Sequence, residues 1–169
     1  MNGTMNHDVV RTQAGISAES PLNAVLDTRA DVLEMTQATH DAALRPEDPG
    51  GIPHVVRAAL ATRIARLHED AGLAAHYEGL MRQARASAAI SRLADPAFHG
   101  DGDARLTAVL AYTDLATRTP KDVTANDIAQ LQQAGVSDAD IVRLAELNAF
   151  LAYQIRLIAG LRLMKEFAQ

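Results

Sequence analysis

The chain contains no cysteine and no tryptophan, and only three phenylalanines and three tyrosines among 169 residues. Without cysteine there is no disulfide framework, no zinc–thiolate or iron–sulfur site and no thiol nucleophile. A redox cycle carried by a protein thiol is therefore excluded. The same absence fits a reducing compartment. No charge of one sign dominates either. The 16 Lys and Arg stand against 21 Asp and Glu, spread along the sequence to a net −5, which argues against the basic stripe of a nucleic-acid binder. No uncharged apolar run reaches the roughly 18 residues of a membrane span. Met1–Asp8 is polar and lacks the basic-then-apolar order of a secretory signal. The expected location is cytoplasmic, with neither nucleic acid nor membrane as partner.

What is abundant is alanine, 33 residues, and leucine, 19. Both are strong helix formers, while sheet-forming residues are sparse, so the expected class is all-α. The length suits one domain. Residues 1–18 show little periodicity and read as a flexible lead-in to a single helical domain over 19–169. Ser20-Pro21 reads as a cap followed by a first-turn proline, opening a helix to about Leu44 that is polar enough to break near Arg29–Asp31. The breakers of Arg45–Gly51 form a linker. Pro53 reopens a helix, whose stripe of Val56, Leu60, Ile64 and Leu67 is amphipathic. Gly72 interrupts it, leaving one kinked helix or two packed end to end. A second linker spans Asp95–Gly102, after which Asp103 caps a helix that ends before Pro120. Thr124 and Asp127, then Ser137 and Asp140, repeat one capping grammar, with Gly135 closing the short helix between them. The last helix, from about Asp138 to Phe167, has an unusually wide apolar side. It is expected to be central in the bundle or shared with a partner subunit.

Polar residues concentrate in two places. From Arg57 to Glu78 the chain carries Arg57, Arg63, Arg66, His68, Glu69, Asp70, His76 and Glu78. Glu69, Gly72 and His76 share one face if the helix stays continuous. The glutamate and histidine could then act as base and hydrogen-bond donor, or simply be a solvated face. Neither His-Glu-x-x-His nor a paired Glu-x-x-His is present, and no metal site or cofactor is expected. In the last helix, Asn148, Tyr153, Gln154 and Arg156 enter an apolar segment and need partners. They form a pocket wall or an interhelical network. Arg156 suits an anionic ligand or an ion pair with Glu69. Tyr112 and Asp114 could add a hydroxyl and a carboxylate to the same cavity. The glycine pairs lack the setting of a phosphate loop, and no Gly-x-Ser-x-Gly elbow occurs.

Two stretches, RAALATRIARLHEDAGLAAHYEGLM from Arg57 and Ala104–Leu163 ending LNAFLAYQIRLIAGLRL, resemble the carboxymuconolactone decarboxylase and AhpD-like superfamily. The run TPKDVTANDIAQLQQAGVSDADIVRLAELNAF is similar to its peroxidase-related branch. The resemblance implies a compact all-helical fold assembled as a homo-oligomer, commonly a trimer or hexamer. Aligning the family's Cys-x-x-Cys-x-x-x-His histidine with His76 puts its cysteine positions on Glu69 and Gly72 and its upstream glutamate on Arg57. Only the histidine remains, so the family's thiol peroxidase chemistry is not expected here. Three readings follow. The chain is a cysteine-less member that keeps a small-molecule pocket, or a non-catalytic structural or accessory homo-oligomer. Alternatively it is a lyase acting on a small carboxylate, with His76 and Glu69 as acid–base pair and Arg156 on the carboxylate.

Overall fold

A computed structural model describes residues 8–167, and among these every regular element is helical. The order is α1 (Val9–Ala14), α2 (Pro21–Asp27), α3 (Ala30–Leu44), α4 (His54–Leu67), α5 (Ala71–Gln83), α6 (Ala88–Arg92), α7 (Ala104–Arg118), α8 (Ala125–Gln133) and α9 (Asp138–Phe167), with a 3-10 turn at Pro120–Asp122. No described helix is long and apolar enough to cross a membrane.

Chain reversals come from one device used four times. After α1, α4, α5 and α8 the chain takes a residue at positive φ, namely Gly15, Glu69, Arg85 and Gly135. Each reversal shows the paired 6→1 and 5→2 bonds of a Schellman motif, as in Asp70 N–H to Ala65 O (2.9 Å) and Glu69 N–H to Arg66 O (3.0 Å). Helix starts are equally local. Asp8, Asp70, Ser87 and Asp103 accept first-turn amides. The Asp127 carboxylate takes both the N–H and the hydroxyl of Thr124, each at 2.8 Å. The echo at Asp140 is used differently. Its carboxylate accepts Gly51 N–H (2.8 Å) and pairs with Arg143 (3.2 Å), tying the 45–51 linker to the start of α9.

The Glu69 reversal makes α4 and α5 an antiparallel hairpin, pinned by Thr62 to Met81 and by Arg66 to Glu78 (2.7 Å). That corrects the expectation of one kinked helix or two packed end to end: the break falls at 68–70, ahead of Gly72. α4 is the most enclosed helix, buried continuously from Arg57 to Ala65, where four alanines let neighbours approach closely. α9 is 30 residues long, about 45 Å. It runs alongside α1, α3, α4, α7 and α8 but keeps one face bare, with Val142, Tyr153, Leu163 and Met164 exposed.

Part of the stretch expected as a lead-in over 1–18 is described. Val9–Ala14 is helical, and Val9, Val10 and Ala14 are buried in contact with the bundle. Residues 1–7 lie outside the described residues. Arg162 holds this helix in place by donating to Gln13 O (3.0 Å) while its other nitrogens grip Asp70 at 2.7 and 3.2 Å. Burial acts to raise Asp70, yet Arg162 and the amides of Leu73 and Gly72 hold its carboxyl below the ordinary value.

Candidate functional site

α1, α3 and α5 line a half-open cavity of about 790 Å³, within the range of small-molecule sites. Two histidines form its polar centre. His40 belongs to the buried face of α3 with Leu33, Thr36, Ala43 and Leu44, a helical spacing that turns it inward. His76 is on α5, beside the buried Tyr77. Their Nε2 atoms are 3.4 Å apart and their ring centroids 5.6 Å. Gln13, Gln37, Arg45 and Gln83 supply the remaining polar lining, against apolar groups such as Val9, Leu44 and Leu80.

His40 is 5% exposed, and neighbours fix its ring. Its Nδ1 is 3.0 Å from Asp41 Oδ1, which assigns the proton to Nδ1. Gln37 donates to the same carboxylate oxygen (3.0 Å) and accepts the backbone N–H of Val9 (3.0 Å), so α1 helps to orient the histidine through two relays. Tyr77 stacks at 6.3 Å and Phe150 meets the ring edge-on at 6.1 Å. Behind the pair, Tyr77 donates to Gln154 Oε1, while Gln154 Nε2 is buried without a partner. Burial, with Asp70 adding, pushes the Tyr77 phenol up, so it stays protonated. His76 moves the other way. Desolvation first, then the charges of His40 and Arg45, lower it to about 4, leaving a neutral imidazole at pH 7. A neutral ring facing a cavity can accept or relay a proton.

The residues expected to form the site are dispersed. His76 lines the cavity. Glu69 does not, because it occupies the α4–α5 turn at φ 59, exposed and outside the helix that would have aligned it with His76. Gly72 lies in the first turn of α5 near Gln13, Arg162 and Asp70, outside the cavity lining. Arg57 is buried and donates to the carbonyls of Ile52, Ala43 and Pro49 at 2.9, 2.9 and 3.3 Å, clamping the linker before its own helix. Arg63 does the same for 93–98 and pairs with Asp114 (2.5 Å). Asn148 donates to Leu144 O (2.9 Å) and lies 3.5 Å from Thr117 Oγ1, which makes it an interhelical contact. Tyr112 is buried on α7, away from the cavity lining. Arg156 is exposed and does not meet Glu69; after desolvation, its charge is what lowers His68. Tyr153 lines a second, more apolar groove of about 570 Å³ between α3 and α9, where its hydroxyl is 2.9 Å from Thr36 Oγ1.

His40, Asp41 and Gln37 were not distinguished in the sequence. Among the described residues no group of three or more His, Cys, Asp or Glu side chains is arranged to hold a metal. No protein-family model matches the chain, and neither does any curated protein or solved structure.

Proposed function

We propose that this cysteine-free helical domain binds a small polar molecule in the α1–α3–α5 cavity, with the His40–His76 pair as its acid–base centre. The observation that carries this reading is the pair itself: two imidazoles in contact, one fixed by Asp41 and one kept neutral, both facing space a ligand can fill. Within the AhpD-like superfamily, the chain would be a member that has lost the thiol pair and kept the histidine. Substrate turnover would then be proton transfer rather than peroxide reduction. Lyase chemistry on a small carboxylate is the form in which Arg45, at the cavity wall, takes the role expected of Arg156. The test is a titration of the protein with a panel of small carboxylates, lactones and amides, followed by the histidine-ring NMR signals. A ligand that moves both the His40 and His76 rings supports the reading, and Arg45→Ala should weaken a carboxylate. Ring signals unmoved at millimolar ligand would overturn it.

The exposed apolar groups on α3 and α9 favour a second reading, a structural or accessory homo-oligomer. Met35, Val142, Leu163 and Phe167 are 62%, 58%, 56% and 87% exposed, apolar side chain that a second copy of the chain would cover. A trimer or hexamer is the assembly the resemblance implies. Native mass spectrometry giving only monomer would refute this reading.

A further inference from the structure

We propose that Asp41, His40 and His76 form a directional relay that fixes the tautomer of both rings and leaves Nδ1 of His76 as the cavity's proton acceptor. The inference rests on the reading of the cavity as an acid–base site. It adds which atom takes the proton and which residues position it.

The relay starts at Asp41, whose Oδ1 is 3.0 Å from His40 Nδ1. A carboxylate only accepts, so the proton is on Nδ1 and His40 Nε2 keeps its lone pair. Gln37 donates to the same oxygen at 3.0 Å and accepts the N–H of Val9, which anchors the acceptor. The second step is the ring contact. His40 Nε2 is 3.4 Å from His76 Nε2, a long hydrogen bond, and two facing lone pairs would repel. Of the two neutral forms of His76, the one protonated at Nε2 donates into this contact. The third observation is the far side of that ring. Among the described residues His76 Nδ1 finds no hydrogen-bond partner, yet it is not a buried orphan. The ring lines the cavity, so this lone pair is open to a ligand. Asp41 is the one acid among the described lining residues and is already engaged, while Arg45 is the one side chain of fixed positive charge. That lining suits an organic anion carrying an acidic C–H or O–H, with its carboxylate on Arg45. The proton leaves the ligand for His76 Nδ1 and the bonding pair stays on the ligand. The imidazolium formed keeps its Nε2–H on His40, and His40 keeps its own proton on Asp41. His76 is then the catalytic residue, and His40 and Asp41 are positioning residues.

The experiment uses the full chain labelled with nitrogen-15, without ligand, at pH 7. Long-range proton–nitrogen NMR of the histidine rings separates a protonated ring nitrogen from an unprotonated one. The parent should show His40 as the Nδ1–H form, which free histidine disfavours, and His76 as the Nε2–H form. Asp41→Ala removes the acceptor and leaves Gln37 Nε2, a donor 3.5 Å from His40 Nδ1, as the neighbour there. His40 should then carry its proton on Nε2. His76, on another helix, should answer by switching to Nδ1–H, since two N–H groups cannot face each other across the contact. The Asp41 side chain is 66% exposed, so its loss leaves the core intact. A parent His40 protonated at Nε2, or a His76 tautomer unmoved by Asp41→Ala, would overturn the relay. Because no ligand is present, a failed ligand titration refutes the reading of the cavity, whereas a failed tautomer switch refutes the relay alone.

Discussion

Replacing Arg63 with methionine tests whether the arginines of α4 are internal clamps. Arg63 is 0% exposed. It reaches both Asp114 oxygens at 2.5 and 2.6 Å, and the carbonyls of Leu93, Asp95, Pro96 and Phe98 at 3.3, 2.5, 3.2 and 3.1 Å. Methionine keeps most of the buried stem and deletes the guanidinium. Removing one partner of a buried ion pair costs about 3–5 kcal/mol because the other charge is stranded. Asp114 is 22% exposed and can regain some water, so the lower half of that range is expected, about 3–4 kcal/mol. The four carbonyls do not add fully, since the 93–98 segment can relax toward solvent. For a chain of this size that is a fall in Tm of roughly 6–16 °C. Urea unfolding should show a lower midpoint with an unchanged slope. Arg29→Ala, which removes an exposed pair with Asp31 at 3.7 Å, should change stability by no more than about 0.5 kcal/mol. A loss below about 1 kcal/mol in Arg63→Met would refute the clamp and return this arginine to the functional candidates.

Three further outcomes are expected. Since the folded His76 protonates near 4 against an ordinary 6.5, the unfolded chain binds the extra proton between those values, and stability falls as pH drops from 6.5 toward 4. Discounted for solvent screening this is about 1–2 kcal/mol, and urea midpoints at pH 7 and 4.5 should diverge less in His76→Leu than in the parent. Glu69→Gly, at a positive-φ C′ position, should stabilise by about 0.5–1 kcal/mol on thermal melting; a loss of stability would mean the Glu69 side chain has a use the turn geometry does not reveal. A hydroperoxide assay driven by a dithiol should show no rate above buffer, and a robust rate would mean a thiol-free mechanism is at work.

The elements that could be read from the sequence are those written in local chemistry. Ser20-Pro21, Asp103, Thr124 with Asp127, and Gly135 each announced a boundary the structure keeps. The break between α2 and α3 fell beside Arg29, as the polarity of that segment implied. The α4–α5 reversal was hidden because a Schellman turn usually shows a glycine, and here Glu69 holds that place while the nearby Gly72 drew the eye. α1 is too short for periodicity to register, and its stability comes from packing on the bundle. The site was half legible. His76 was picked out, but its partner is 36 residues earlier on a helix that reads as polar. Arg57, a pocket candidate, and Arg63, a member of the same polar cluster, have partners that are largely backbone carbonyls, which leave no trace in a sequence.

The central claim is that His40 and His76 form one unit at the heart of a cavity, and histidine-ring NMR tests it most directly. The account predicts an ionisation of His76 near pH 4 and a through-space contact between the two rings, whose centroids lie 5.6 Å apart. A His76 that titrates at 6.5 or above with no contact to His40 would contradict it.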